Sequence, residues 1–440
     1  MKKRILSAVL AAAFMLGAFG GAFAVEAGAA SKWSGYTKIS KPEDLLKMKD
    51  SVKKFYLAND IDLGDYGNWV SFNFSGTLDG DGYAIKNLSS IGKNASMAAS
   101  TDASSAYGGL FNKIENAAIK NLGLIDVNVS VDSGSMGYPA VGGIANMAFN
   151  ADIENCYVSG SVAGRSNSSF RYYGLGFAGG LVGFTGDTVT FKNCVNLAKV
   201  NLSGGSTGYS VSAAGGIIGN GYASVFINCV NAGKVNFAPS HEAIKGNAGG
   251  IAGSLTEGRA TSCYNTGQVT SLGKSAAPGD IIGYAGESVV LKDCVYRKRT
   301  DNKHIGGSED GFTGKASRKS ASTMKKQTTY KGFDFDKTWY ADAGINSGYP
   351  ILQDMLANYN ASKPTANKKA GAYAKDTEIT LSTKLKGVTI RYTTDGKAPT
   401  ASSKKYSKAI KLTKNTTVKA AVFTGEGERG KVVTFKYTVK

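Results

Sequence analysis

Three short apolar runs, parted by glycine, asparagine and aspartate, recur along the middle of the chain. The first holds a glycine pair: AVGGIANM (140–147), AGGLVGFT (178–185), AGGIIGNG (214–221) and AGGIAGSL (248–255). A weaker copy, YGGLFNKI (107–114), precedes these, and PGDIIGYA (278–285) ends the series. The pairs begin at positions 108, 142, 179, 215, 249 and 279, so the spacings are 34, 37, 36, 34 and 30 residues. The second run leads into Cys156, Cys194, Cys229, Cys263 or Cys294, whose spacings of 38, 35, 34 and 31 follow those of the glycines. The third is NLAKVNL (196–202), NAGKVNF (231–237) or NTGQVTS (265–271). No 3.6-residue period runs through these segments, and Val, Ile, Phe and Tyr fill them, as in strands. Three strands per repeat, stacked on the same strands of the next repeat, predict an all-β chain. Its body is a right-handed parallel β-helix, a solenoid of about 30–37-residue repeats.

The cysteine run implies a corner. Ile153, Phe191, Phe226, Ala260 and Leu291 each stand three residues before a cysteine, and both members of a pair are apolar. On a straight strand, side chains three apart face opposite sides, so a bend must lie between them. Asn155, Asn193, Asn228, Ser262 or Asp293 occupies that place, residue types that tolerate left-handed backbone. Asn196, Asn231 and Asn265 predict a second stacked corner, and both asparagine rows are expected to hydrogen-bond from coil to coil. The five cysteines, one per coil and odd in number, fit a ladder of buried free thiols rather than disulfides. They lack the C-x-x-C or Cys/His spacing of a metal site, so no metal or cofactor is expected.

Composition agrees. Glycine is abundant at 57 of 440 residues and proline scarce at 7. The aromatic content of 10% is too high for a disordered chain. The two histidines leave little room for a multi-histidine metal centre.

The two ends differ from the body. Lys2, Lys3 and Arg4 precede an apolar run from Ile5 to Ala24 and small residues up to Ala30, the layout of a secretory signal peptide over 1–30. Cleavage after Ala24 and cleavage near Ala29 or Ala30 both remain open. A retained anchor is the rival, disfavoured by Gly17, Gly20 and Gly21 within the run. No cysteine flanks the run, and the terminus KYTVK (436–440) is polar. A lipid-attached, wall-sorted or tail-anchored product is therefore not expected, and the chain is expected to be secreted and extracellular, with non-covalent retention at the surface left open.

Residues 370–440 read as short alternating strands with a turn at Asp395-Gly396, a small β-sandwich preceded by a polar linker at 361–369. The charge is skewed. The net +19 includes −1 over residues 25–291, +7 over 292–331 and +12 over 368–440, where 17 basic side chains face 5 acidic ones. For an exported chain such a surplus points to cell-wall polymers, acidic glycans or membrane surfaces. No nucleic-acid fold signature accompanies it. Lysines that keep strand edges from pairing are the simpler account.

The body resembles bacterial GLUG-motif proteins. The resemblance begins at DLLKMKDSVKKFYLANDIDLGDYGNWVSFNFSGTLDGDGYAIKNL (44–88), passes through the glycine-pair and Asn-Cys repeats, and ends at GFDFDKTWYADAGINSGYPIL (332–352). It implies an N-terminal cap and first coils over 31–106, repeats over 107–300 and a closing segment over 301–360. It further implies an extracellular, adhesin-like β-helix, without naming a ligand or an activity. IRYTTDGKAPTASSKKY with TTVKAAVF resembles the C-terminal domain of chitobiases and β-hexosaminidases, an accessory module in those enzymes.

Catalytic chemistry has few candidates. Asp60, Asp62, Asp65, Asp79 and Asp81 could form an acid/base pair or a calcium site, yet they sit beside Gly64, Gly80 and Gly82 as turn formers do. His241 and His304 stand apart, neither beside a serine or cysteine motif, and Arg297-Lys298-Arg299 reads as a solvated edge. Ligand contacts are expected instead on the long loops between coils, where Phe170, Arg171, Tyr172, Tyr173, Tyr209, Phe237 and His241 would share one face suited to sugar rings or a protein. The sum is a secreted, non-catalytic, adhesin-like surface protein that binds glycans or anionic envelope polymers, or a host or neighbouring-cell surface. A β-helix carbohydrate-active enzyme and a purely structural surface component are the alternatives.

Overall fold

The computed structural model describes residues 32–93, 108–132, 139–166, 176–204, 211–240, 246–272, 278–298, 303–343, 345–358, 362–385, 388–423 and 430–440. Residues 32–35 form a turn with the Lys32 amine over the Trp33 ring.

Among the described residues from Tyr36 to Lys319, 31 strands join in one sheet with parallel pairings. In one coil Ala140–Gly142, Ala145–Phe149, Ala151–Glu154 and Tyr157–Ser166 follow one another. Each stacks on its counterpart 37 or 38 residues on, Ala140 on Phe177 and Ala151 on Val189. This is a parallel β-helix with coils about 4.8 Å apart. The glycine-pair run, expected as one strand, is two: the chain turns at the pair, so this coil has four strands.

Alternation places one apolar row inside. Phe55, Leu78, Ile119, Ile153, Phe191, Phe226, Ala260 and Leu291 stack in register and are buried. The Phe191 and Phe226 rings lie 5.2 Å apart and 10° from parallel, a stack worth about 0.5–1.5 kcal/mol beyond the area it buries. Two residues further on, Asn121, Asn155, Asn193, Asn228, Ser262 and Asp293 all have φ between 51° and 54°. This left-handed corner lets the residue three before each cysteine and the cysteine itself both face inward. Across it runs an amide ladder. Asn228 Nδ2 donates to Asn193 Oδ1 (3.1 Å), Asn193 to Asn155 (2.9 Å) and Asn155 to Asn121 (2.9 Å). Asn121 then donates to the Asp79 carboxylate at 3.0 Å.

The second ladder lies within the coil rather than on its rim. Asn196, Asn231 and Asn265 are at most 1% exposed. Each binds the backbone two residues on, Asn231 Nδ2 to Gly233 O at 3.0 Å for example. Asn196 Nδ2 also donates to Asn231 Oδ1 (2.8 Å), and Asn231 to Asn265 (2.9 Å), the opposite sense along the axis. The glycine pairs exist because of this row. A Cβ on Gly216 would lie 2.4 Å from Asn231 Cγ and 2.0 Å from Gly250 O, and Gly180 and Gly250 face Asn196 and Asn265 in the same way.

The five cysteines are free and buried. Their Sγ atoms lie against backbone carbonyls, as Cys194 does against Ile153 O at 3.2 Å and Lys192 O at 3.4 Å. Burial pushes the Cys156 and Cys194 thiols up.

At the N-terminal end, the short turn Pro42–Met48 brings Leu45 and Met48 over the first coil. Asp44 holds that turn, accepting from Lys47 Nζ (2.8 Å), Ser40 N (2.9 Å) and Ser40 Oγ (3.1 Å). Trp69 is buried and donates Nε1–H to Leu110 O at 2.9 Å.

Within the segment expected to close the β-helix, parallel pairing continues through Lys303–Ser308 and Thr313–Lys319. The segment after it closes a side of the solenoid. Tyr157, Val195, Val230, Tyr264 and Val295 point outward on successive coils, yet share one core with Met324, Tyr330, Phe333 and Trp339. Tyr264 donates its hydroxyl to Pro350 O at 2.9 Å, and Asn228 Nδ2 donates to Gly332 O at 3.1 Å. The stretch expected as a linker is not free: Thr365–Ala366 pairs with Leu381–Ser382, and buried Ser362 accepts from Lys431 N at 2.8 Å. Its polar composition hid a strand short enough to need no apolar pattern.

The last module carries a five-stranded sheet in the order Gly371–Tyr373, Val433–Val439, Thr416–Phe423, Thr389–Thr393, Lys404–Lys405. Glu378–Ile379 pairs separately with Ile410–Lys411. Ile379, Leu412, Val418, Ala420, Val422 and Tyr437 are buried in it.

Three outcomes follow. Gly216→Ala and Asn231→Asp each strike the buried amide row, and either should lower stability by about 3 kcal/mol or more, read as the urea midpoint. The native thiols should resist an alkylating reagent up to pH 9, with all five reacting after denaturation. Lys47, with Ser40 second, holds the Asp44 carboxyl at about 2, below its unfolded value. Its contribution is therefore complete above about pH 4 and lost as pH falls toward 2. Asp44→Asn should destabilise the chain at pH 7, and the gap to wild type should shrink over that interval.

Candidate functional site

Of the residues expected to share a ligand-binding face, Phe170, Arg171, Tyr172, Tyr173, Tyr209 and His241 lie outside the described residues. The strand ends that flank their loops do stack: Arg165 on Ser203, Phe177 on Ala213 and Ser212 on Gly246. Phe237 does not belong with that set. It sits in Val235–Ala238 in register with Leu202 and Ser271, and alternation turns its ring into the core, where it is fully buried.

Three of the aspartates weighed for catalysis, Asp60, Asp62 and Asp79, are engaged by neighbouring groups. Asp60 accepts from Ala84 N (3.0 Å) and Lys86 Nζ (2.6 Å). Asp62 Oδ1 accepts from Asn87 Nδ2 (2.8 Å) and Gly64 N (2.9 Å), bonds that hold its pKa below the ordinary value. Asp79 Oδ1 accepts from Asp81 N at 2.9 Å besides receiving the amide ladder. His304 stands at the last coils, where burial and then Lys315 and Lys303 lower its pKa. Among the described residues no group of three or more His, Cys, Asp or Glu side chains is arranged to hold a metal ion.

Two surfaces carry chemistry that the sequence did not single out. On the solenoid, Met147, Phe184, Asn220, Ser254 and Tyr284 form one outward row in register, each half-buried. Beside it the exposed Tyr222 donates its hydroxyl to Glu257 Oε1 at 2.9 Å, which raises the phenol's pKa. Tyr284 reaches Glu309 Oε1 at 3.3 Å, and burial with that carboxylate raises its pKa too. The only sign of this row in the sequence is a side chain recurring four places after the second position of each glycine pair.

The second surface is a groove in the last module, of about 620 Å³, between Tyr392–Asp395 and Ser403–Lys411. Both walls are held by strand pairing: Arg391 and Tyr392 pair with Lys405 and Lys404, while Ile410 and Lys411 pair with Ile379 and Glu378. Lys404, Lys408 and Lys411 line it with a single carboxylate, Asp395. Asp395 Oδ1 is engaged by Lys397 N at 3.0 Å in the turn that Gly396 makes possible with φ at 81°. The Lys404 amine lies 5.7 Å from the centre of the Tyr392 ring, and that ring packs edge-on against Tyr406.

Comparison with known proteins bears on the same module. No curated protein matches the chain in sequence. Among solved structures, the chain is similar to a crystallised Bacteroides ovatus protein described as a candidate immunoglobulin A1 protease. The TM-score is 0.52 at 21% identity, over 72% of this chain and 92% of that one. A likeness at that identity carries the fold and no activity. Residues 368–434 match the family described as the chitobiase/beta-hexosaminidase C-terminal domain, so the last module is similar in sequence to that domain.

Proposed function

We propose that this is a secreted, non-catalytic, adhesin-like surface protein that binds anionic glycans or cell-envelope polymers through its C-terminal module. The observation that carries the reading is the separation of charge from fold. The solenoid up to residue 291 is almost neutral, and the last 73 residues bear +12. The basic side chains of that module are mostly exposed, Lys397, Lys404, Lys405, Lys408, Lys411 and Lys436 among them. A solenoid offers a rigid, extended platform, and a basic module beside it supplies attraction to a polyanion at little cost in fold. The match to a domain named for chitobiase and β-hexosaminidase supports a carbohydrate setting. The basic start and apolar run of the first thirty residues, with the resemblance to GLUG-motif proteins, support export. Asp60, Asp62 and Asp79 of the first coils are engaged by backbone N–H, lysine and asparagine groups, which favours binding over hydrolysis.

Purified cell walls mixed with the chain over a salt series test the reading. Binding near 50 mM salt should be largely lost by about 0.5 M, since the screening length contracts from about 10 Å at 0.1 M toward 3 Å at 1 M. Binding that persists in high salt would transfer the role to the solenoid's flank, and no binding at low salt would overturn the proposal.

A further inference from the structure

The groove in the C-terminal module has the features of a defined binding subsite, and it deepens the reading just given, on which it rests. We propose that the groove bounded by Tyr392–Asp395 and Ser403–Lys411 binds a single anionic unit of a sugar or polyol chain, a carboxylate or a phosphate, through Lys404 and Lys408.

Its volume, about 620 Å³, lies inside the range of about 300–1,000 Å³ in which small ligands bind. Its charge balance is the second argument. Among the described residues no ion pair engages Lys404 or Lys408, while Lys411 has only a long, exposed contact of 3.8 Å to Asp376. The one carboxylate of the lining, Asp395, is already bonded to Lys397 N. Three ammonium groups thus face one carboxylate in the groove, and Lys404 and Lys408 have no ion-pair partner among the described residues. Its form is also held before any ligand arrives. Arg391 Nη1 donates to Ser403 O at 2.7 Å, and Ser403 Oγ accepts from Thr400 N at 2.9 Å. Strand pairing fixes Lys404 on one wall and Lys411 on the other. Lys404 leans on the Tyr392 ring, a contact that orients its ammonium without neutralising it. A pre-formed cleft of this kind loses little entropy on binding. Three lysines on walls that also offer Tyr392 and Ile410 suit an anion carried on a carbohydrate.

The test uses the full chain and two model polymers, polygalacturonate for the carboxylate and a poly(glycerol phosphate) for the phosphate. The double variant Lys404→Glu/Lys408→Glu is compared with Lys369→Glu/Lys436→Glu. The latter makes the same change of charge at exposed positions on the other side of the sheet, next to Gly371–Tyr373 and in Val433–Val439. Thermal unfolding of each variant verifies that it is folded. The groove variant should lose about tenfold or more in affinity beyond the control for at least one polymer. The polymer that responds identifies the anion. Equal losses in the two variants would mean diffuse attraction, overturning the subsite and leaving the general reading in place. A wild-type chain that binds neither polymer in low salt would overturn both.

Discussion

The solenoid depends on how closely its coils can approach at the glycine pairs. Backbone and amide groups there are packed so that no side-chain carbon fits: a Cβ on Gly216 would fall 2.0 Å from the carbonyl of Gly250. That approach brings Asn196, Asn231 and Asn265 within hydrogen-bonding distance of one another inside the protein. A buried primary amide is costly unless its donors and acceptor are all used. Here each binds its own turn and its neighbour, so the row is tolerable only when the coils stack at the sheet spacing. The strand register that stacks the cysteine and phenylalanine rows is consistent with keeping that distance constant.

Much of this was legible because it repeats. Glycine pair, apolar residue, corner residue and cysteine recur together, and a repeat can satisfy such a pattern in few ways. The left-handed corner could be inferred from Ile153 and Cys156 alone, since two apolar side chains three apart cannot both face inward on a straight strand. The split of the glycine-pair run into two strands was not legible, because the pair is compatible with either an extended or a bent path. The inward position of Asn196 was equally hidden, as its neighbours are those of an ordinary turn.

The flank and the module were harder to read for a different reason. Tyr157, Val195, Val230, Tyr264 and Val295 look like outward strand positions, and nothing local announces that Tyr330, Phe333 and Trp339 cover them. Phe237 illustrates the converse. It stands where a strand passes into a loop, and only its register with Leu202 assigns it to the core. The groove lies between two separately paired sheet fragments, so the sequence shows its lysines as part of a general surplus of charge.

The outer ladder has a sense of direction. Asn228, Asn193, Asn155 and Asn121 each donate toward the N-terminal end, and the series terminates on Asp79. A carboxylate can only accept, so it dictates which face of Asn121 turns toward it, and each amide then dictates the next. Reversing any single amide would set donor against donor on one side and acceptor against acceptor on the other. One aspartate near the start of the solenoid therefore orders the dipoles of four coils. The inner row, with its dipoles running the other way, leaves the two columns opposed and their fields partly cancelled along the axis.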